Sequence, residues 1–187
     1  RKHNISYVFQ EPTCLPWRTV KENVAYGMQV KGVPYKERME RAHTIMDLVG
    51  LSSRADLYPN QVSASMMQRI AVSRAFAVAP DLLLMDEPYG QLDVKLRFYL
   101  EDELINLWRT LGSTILFVTH DVEEAIYLGG RIVLMAPRPG RIDTIYDVPL
   151  PEQRHQDMKL SAEFLNLKRE ILARIRETSG MNTDLEL

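Results

Sequence analysis

The sequence predicts an α/β fold built on a parallel sheet, with a helical segment inserted between its first two strands. Residues 82–85 and 114–119 are apolar runs typical of strands buried on both faces. Helical patterns follow them at 94–111 and 121–128, and this order favours parallel strands joined by right-handed crossovers. A first strand is predicted at 5–9, so the residues between it and residue 82 interrupt the sheet.

The interruption carries three predicted helices. They are expected over residues 19–30, 34–49 and 65–79. Thr19 and Glu22 have the spacing of a capping box, and Ser65 and Gln68 have the same spacing at the third helix. Gly50 predicts the end of the second helix, because glycine is the preferred residue just past a helix C-terminus.

The carboxyl-terminal third predicts a hairpin and one more helix. Strand patterns at 131–135 and 141–146 are joined by a proline- and glycine-rich stretch at 137–140. Residues 162–178 repeat apolar side chains at helical spacing, which predicts an amphipathic helix. A polar linker is expected before it.

Composition restricts the class of protein. The chain has 187 residues, 45% hydrophobic and 26% charged, as in an ordinary globular domain. Lys and Arg number 23 against 25 Asp and Glu, so the net charge of −2 provides no basic field for a nucleic acid. No apolar run approaches the roughly 20 residues of a membrane span, so membrane association would need a partner. Cys14 is the single cysteine, which excludes an internal disulfide and fits a reducing compartment.

Polar residues stand where the predicted sheet would bind a ligand. Gln10, the pair Asp86 and Glu87, and His120 each follow a predicted strand, and ligands bind at the carboxyl ends of such strands. Ser63 precedes a helix, where free N–H groups favour phosphate. Carboxylates at a strand end can hold Mg²⁺ through water and polarise an attacking water, as nucleoside triphosphate hydrolysis requires. The sequence nevertheless contains no Gly-x-x-x-x-Gly-Lys-Ser/Thr phosphate loop.

The order of these motifs resembles the second half of an ABC-transporter ATPase subunit. The resemblance implies a P-loop NTPase-like parallel sheet. Five segments carry it: 7–11 (YVFQE) is similar to the Q-loop, 62–69 (VSASMMQR) to the signature motif, 82–87 (LLLMDE) to the Walker B strand, 90–93 (GQLD) to the D-loop, and 118–121 (VTHD) to the switch-histidine segment.

The resemblance also implies a role for each matched residue, with ATP and Mg²⁺ as cofactors. Glu87 is expected to be the general base, His120 to contact the γ-phosphate, and Gln10 to reach the metal and the attacking water. Asp86, with Gln10, is expected on the metal side. The expected nucleotide-binding residues are Ser63, Ala64, Ser65, Gln68 and Asp93.

A finer resemblance is to ATPases of nitrate, sulfonate and taurine importers. It rests on residues 15–17 (LPW), 136–142 (APRPGRI) and 163–165 (EFL). It implies ATP-driven uptake of a small anion, a position at the cytoplasmic face of the membrane, and a second ATPase subunit as dimer partner. It further implies transmembrane permease subunits, contacted near Leu15, Trp17 and Arg18, and an indirect link to a substrate-binding protein. The transported substrate, and whether the dimer has two identical subunits, stay open, because other subunits choose the substrate.

Two departures from the family pattern lead to further expectations. A strand so close to Arg1 and the missing phosphate loop predict a fragment whose N-terminal strands and loop lie upstream. Within it, 1–18 and 80–150 are predicted to form a partial nucleotide-binding core, 19–79 a helical signature subdomain, and 151–187 a linker and helix. Ala64 and Ser65 replace signature glycines, and their Cβ atoms would cost a few kcal/mol if the backbone there required a positive φ.

Three alternatives remain open from the sequence. The first is a degenerate, non-hydrolysing ABC-like regulatory subunit, which Ala64 and Ser65 favour. The second is a soluble ABC ATPase associated with nucleic acid, which the net charge disfavours. The third is a module that only binds a partner. Whether the altered signature is active distinguishes the first alternative from a working ATPase.

Overall fold

The computed structural model describes residues 4–90, 92 and 94–178. The chain divides into two compact units, the first ending at Val118 and the second starting at Thr119. The predicted boundaries at 18, 79 and 150 stay a prediction.

The first unit contains a three-stranded parallel sheet. Its strands, in spatial order, are β1 (Ile5–Val8), β2 (Leu82–Asp86) and β3 (Thr114–Val118). The helix α4 (Val94–Leu111) links β2 to β3. Parallel neighbours joined through a helix are what the alternating pattern predicts, so the α/β fold class is confirmed.

The two faces of this sheet differ in burial. Val8, Leu83 and Met85 are buried on one face. The alternate residues are more accessible, and Leu116 and Val118 of β3 are 55% and 49% exposed. The prediction that both later strands are buried on both faces is therefore wrong for β3, and β2 is only half-buried on its second face. An apolar run shows that both faces of a strand are able to be buried. The layers that pack against the sheet decide whether both faces are in fact covered.

The inserted segment forms three helices that pack on one another. They are α1 (Val20–Val30), α2 (Tyr35–Leu48) and α3 (Ala64–Ala77). The capping box at α1 is confirmed: Thr19 Oγ1 accepts from Glu22 N at 3.3 Å, and Glu22 Oε2 accepts from Thr19 N at 2.9 Å. Gly50 follows α2 with a φ of 64°, which glycine adopts without strain. No helix among the described residues combines the length and apolarity needed to cross a bilayer.

The third helix begins at Ala64, one residue earlier than predicted. Ser63 is its N-cap, and its hydroxyl accepts from Met66 N at 3.3 Å. The expected capping box of Ser65 and Gln68 is wrong, because both side chains are buried within the helix instead. Ser63 and Ser65 could each act as the N-cap of this helix. Because Ser65 is buried, Ser63 is the N-cap.

The second unit contains a hairpin and two helices. Its elements are α5 (Val122–Leu128), β4 (Arg131–Ala136), β5 (Arg141–Asp147) and α6 (Ala162–Thr178). The strands β4 and β5 pair antiparallel, as predicted. Arg174 of α6 binds both carboxylate oxygens of Asp143 on β5, at 2.6 and 2.9 Å. The guanidinium of Arg154 donates to carbonyls at the end of α5, which satisfies groups that a helix C-terminus leaves unpaired.

Candidate active site

The end of β2 carries the pair of carboxylates on a fixed backbone. Glu87 N donates to Val118 O at 2.9 Å, one residue beyond the β2–β3 ladder, and Gly90 N donates to Glu87 O at 3.2 Å. Glu87 has a φ of 43°, a left-handed conformation uncommon outside glycine. Such a conformation costs about 1–3 kcal/mol and persists where surrounding contacts impose it. Glu87 is therefore held in a strained orientation at the sheet edge.

A buried tyrosine anchors the turn that carries Glu87. Tyr89 is 1% exposed and its hydroxyl donates to Leu100 O of α4 at 3.2 Å. Its ring lies 5.7 Å from that of Phe117 on β3, a separation typical of aromatic pairs. The turn is thus fixed to both elements that follow it in the chain.

Gln10 lies beside Glu87 because β1 and β2 run parallel. The Gln10 Nε2 group donates to Glu87 Oε2 at 3.4 Å. Gly90 lies next to both, since a Cβ built on it would be 3.8 Å from each of these atoms. Of the predicted catalytic residues, the structure joins these two by a hydrogen bond.

Asp86 has a partner that the sequence interpretation missed. The Tyr7 hydroxyl donates to Asp86 Oδ2 at 3.0 Å. This bond to a carboxylate raises the pKa of the Tyr7 phenol above its ordinary value, because it stabilises the protonated phenol. Tyr7 of β1 pairs with Leu84 of β2, and Asp86 lies two residues after Leu84. Because side chains alternate along a strand, Tyr7 and Asp86 lie on the same face of the sheet. The signal that could have found Tyr7 is strand alternation combined with this register.

The residues at this edge fit a magnesium ion that arrives with a nucleotide. Among the described residues, no group of three or more His, Cys, Asp or Glu side chains could hold a metal by itself. Mg²⁺ prefers oxygen ligands and is usually bound by one or two carboxylates together with waters and substrate phosphates. The Asp86 carboxylate and the Gln10 amide oxygen are oxygen donors of this kind.

The signature residues form the first turns of α3. Ser63 and Ala64 are exposed, whereas Ser65 is 9% and Gln68 only 2% exposed. Arg69 Nη2 donates to Ser65 Oγ at 3.5 Å. Ser63 and Ala64 are accessible to a ligand as they stand, and Ser65 and Gln68 would reach one only after rearrangement.

The strain considered for Ala64 and Ser65 does not arise. Among the described residues, the non-glycine positions with positive φ are Ala79, Glu87 and Arg138. Ala64 and Ser65 lie in the right-handed conformation of α3, which any L-residue adopts. Their Cβ atoms therefore carry no backbone penalty.

The remaining predicted residues lie elsewhere. His120 is an exposed residue at the start of the second unit. Asp121, which follows it, caps α5 through bonds from Glu123 N and Glu124 N to Oδ1 at 2.8 and 3.2 Å. His120 thus stands between the β3 strand and a helix N-terminus in the chain. Asp93 lies outside the described residues.

The loop after Gln10 exposes an aromatic side chain. Trp17 is 71% exposed. Its neighbour Arg18 donates from Nη1 to Gln29 Oε1 at 2.7 Å and stacks over the Tyr26 ring at 5.0 Å. Leu15, on the other side, is half-buried. A large exposed aromatic between ordered neighbours is typical of a contact site.

The fold is that of the P-loop NTPases. A solved structure described as a dimeric post-hydrolysis state of the ATP-binding cassette MJ0796 bound to ADP and Pi matches with a TM-score of 0.66 at 31% identity. The match covers 79% of this chain and 64% of that one. A family profile described as ABC transporter matches residues 1–90. The chain belongs to the ABC transporter family.

Relatives with assigned names include import proteins. The taurine import ATP-binding protein TauB of Rhizobium johnstonii is 37% identical over 94% of this chain and 69% of its own length. The nitrate import ATP-binding protein NrtD of Synechocystis is 39% identical over 91% of this chain and 67% of its own. An uncharacterized ABC transporter ATP-binding protein of Methanocaldococcus jannaschii is 44% identical over 88% of this chain. The chain spans 61% of the length of that relative and 63% of a 43% identical Brucella abortus relative.

Proposed function

We propose that the chain provides the hydrolytic residues of an ATPase subunit that energises an ABC importer. The observation that carries this proposal is Glu87, held in a strained conformation at the end of β2 and hydrogen-bonded to Gln10. Strain at a single charged residue on a ligand-binding edge is typical of a functional site. A small anion such as nitrate, a sulfonate or taurine is the proposed cargo, which the names of two relatives support.

Each residue has a proposed task at the γ-phosphate of ATP. Glu87 accepts a proton from the attacking water, and Gln10 orients the Glu87 carboxylate through its Nε2–H group. Asp86 and the Gln10 amide oxygen would hold Mg²⁺, which neutralises phosphate charge when bound. His120 would donate a hydrogen bond to the γ-phosphate.

The signature residues have a proposed task across a dimer. Ser63 and Ala64, at the exposed start of α3, are proposed to contact the nucleotide held by a second ATPase subunit, since helix N-termini favour phosphate. Ser65, Gln68 and Asp93 are proposed to complete that contact when the dimer closes. Ser63 and Ala64 would therefore contact the nucleotide before the three other residues do.

Transport requires partners in the membrane. Permease subunits are proposed to bind the surface formed by Leu15, Trp17 and Arg18, which would place the protein peripherally at the cytoplasmic face of the membrane. A substrate-binding protein would act through the permease. The exposed Trp17 ring supports this assignment, because buried aromatic anchors dominate the energetics of many protein interfaces.

The proposal is tested first by Glu87→Gln in the complete subunit. The amide keeps the size of the side chain and removes the base, so we expect ATP hydrolysis to fall by about two orders of magnitude or more while ATP binding persists. The measurement is the steady-state rate of phosphate release, together with nucleotide binding. Glu40→Gln, an exposed carboxylate on α2, is the matched control and should leave the rate unchanged.

Two results would contradict the hydrolytic assignment. If Glu87→Gln hydrolysed ATP at the unsubstituted rate, Glu87 would not be the base. If the natural subunit bound ATP without hydrolysing it, the regulatory alternative would be supported instead.

The permease contact is tested by Trp17→Ala. We expect transport to fall while basal ATP hydrolysis is largely retained, because Trp17 lies on the surface and outside the Gln10–Glu87 pair. Leu160→Ala, at a side chain 77% exposed in the second unit, is the control and should affect neither activity. A parallel loss of transport and hydrolysis on Trp17→Ala would show that the ring supports the site rather than a partner.

A further inference from the structure

We propose that Asn23 of α1 is a positioning residue that fixes residues 15–19, here termed the Trp17 turn. An effect of Asn23 on transport rests on the permease contact proposed above. The effect of Asn23 on the Trp17 turn is independent of that contact. Asn23 is a polar side chain with 0% exposure, and the roles assigned above do not use it.

The Asn23 amide bonds to both ends of the turn. Its Oδ1 accepts from Leu15 N at 2.7 Å. Its Nδ2 donates to Leu15 O at 3.1 Å and to Arg18 O and Thr19 O at 3.0 Å each. One side chain therefore holds the backbone before Trp17 and the backbone after it.

The bonds at Leu15 N and Arg18 O pair main-chain groups that would otherwise need water, whereas Leu15 O and Thr19 O also accept from Arg18 N and Asn23 N. An unpaired buried polar group costs more than a made hydrogen bond contributes, so the site constrains the residue strongly. Asparagine offers a donor and an acceptor on a short side chain. Aspartate keeps the acceptor but lacks the donor, and alanine lacks both. Glutamine carries an additional methylene into a site with no free surface.

Neighbouring contacts anchor the chain just before the turn. Arg74 of α3 donates to Thr13 O at 2.7 Å and to Thr13 Oγ1 at 3.0 Å, and Cys14 Sγ donates to Met67 O at 3.6 Å. Arg18 N donates to Leu15 O at 3.1 Å and closes the turn.

Trp17 itself contributes little to holding the turn, because its ring is 71% exposed. Its position is thus set by backbone anchors, and Asn23 is the side chain that connects the two halves of the turn. A preformed turn would present the ring without the entropy loss of ordering it on binding.

The test uses the 187-residue chain and two readouts that do not depend on ATP. The first is hydrogen exchange of the Leu15 amide, whose bond goes to Asn23 Oδ1. The second is the fluorescence anisotropy of Trp17, measured in a Trp108→Phe background because the chain has two tryptophans. The variants are Asn23→Ala and Asn23→Asp, and Asn106→Ala on an exposed face of α4 is the matched control.

In Asn23→Ala we expect Leu15 exchange to rise by roughly three- to tenfold, the factor of one lost hydrogen bond, and Trp17 anisotropy to fall. In Asn23→Asp, which keeps the acceptor, we expect Leu15 protection to persist and Trp17 anisotropy to fall. Asn106→Ala should change neither readout. The proposal is overturned if Asn23→Ala folds and leaves both readouts at the values of the unsubstituted chain.

A measurement without substitution covers the case in which the variants do not fold. In the natural chain, the side-chain NH₂ protons of Asn23 should exchange more slowly than those of Asn106, because Nδ2 lies on a side chain with 0% exposure and donates to main-chain carbonyls. Equal exchange rates would overturn the proposal.

Transport in the complete subunit separates this inference from the proposed function. If the turn loosens and transport per ATP hydrolysed falls, both are supported. If the turn loosens and transport per ATP is unchanged, Asn23 positions the turn as proposed, and the permease contact at Trp17 is wrong.

Discussion

Glu87, the proposed general base, has a backbone conformation that its residue type disfavours. The β2 strand, Val118 and the turn to Gly90 hold it at a φ of 43°. L-residues pay for the left-handed conformation through the contact of Cβ with the following carbonyl oxygen, and glycine does not. We therefore expect the conformation of Glu87 to lower the free energy of unfolding while it orients the carboxylate.

This strain predicts an inverted order of stability between two substitutions. We expect Glu87→Gly to be more stable than Glu87→Ala by about 1 kcal/mol, since only alanine carries the Cβ. At Asn106, an exposed position in α4, the glycine variant should instead be less stable than the alanine variant by about 1 kcal/mol. Urea unfolding of the four variants in the 187-residue chain measures both differences. The same order at both positions would mean that Glu87 is not strained.

Among single residues, the sequence indicated which side chains lie at the strand ends but not which neighbours they contact. Glu87 and Gln10 were found from their positions after strands, and the structure joins them. Tyr7 was missed because its contact with Asp86 depends on the β1–β2 register, which no local pattern encodes. Gln68 was expected at a nucleotide but is 2% exposed, because its position on α3 faces the interior.

At the scale of elements, α3 shows how a helix start is chosen. Ser63 and Ser65 both have the chemistry of an N-cap. Ser63 caps the helix through Met66 N, while Ser65 is buried and accepts from Arg69. As a result, Ala64 and Ser65 are helical residues, and glycine would not relieve any strain there.

We therefore expect Ala64→Gly with Ser65→Gly to destabilise the chain, by up to about 1 kcal/mol for each glycine, since glycine loses the most backbone entropy in a helix. Urea unfolding of the 187-residue chain measures the loss. In the complete subunit the double variant should hydrolyse ATP no faster than the natural sequence. Ala173→Gly, on the exposed face of α6, provides a control for the loss of stability alone.

An increase in hydrolysis with both glycines would contradict this expectation. It would show that the signature needs close backbone approach to phosphate in the dimer, so that the side chains of Ala64 and Ser65 weaken a contact made only there. The regulatory alternative would then gain support from the natural sequence.

At the scale of the whole chain, the proposed hydrolytic residues are present in a sequence that contains no phosphate-loop motif. In the proposed function, Asp86 and Gln10 would bind a magnesium ion only together with phosphates that supply further ligands. In P-loop NTPases most backbone N–H groups directed at phosphate, and the lysine beside them, belong to the loop motif that this sequence lacks.

The 187-residue chain alone is therefore expected to bind MgATP only weakly. Isothermal titration calorimetry with the isolated chain measures the affinity, and the same titration with Glu87→Gln is the control for hydrolysis during the experiment. A micromolar dissociation constant would contradict the expectation and would show that the strand ends and α3 suffice to hold the nucleotide.

The sequence alone determined the α/β class, the parallel direction of the strands and the positions of the helices and strands along the chain. It did so because apolar periodicity, caps and turn residues act over a few neighbouring residues: Thr19 begins α1, Gly50 follows the end of α2, and α6 covers residues 162–178 as predicted. The same local signals placed Gln10, Glu87 and His120 just after the strands and Asp86 at the end of β2.

Only the tertiary structure decided which face of each element is covered and which side chains meet. The Tyr7–Asp86 bond joins residues 79 positions apart in sequence, and the exposed face of β3 reflects which layers pack against it. Their free energy comes from burial and from hydrogen bonds that exist only after strands are in register and helices are packed. A local pattern cannot contain that information, because it depends on the register and the packing of the folded chain.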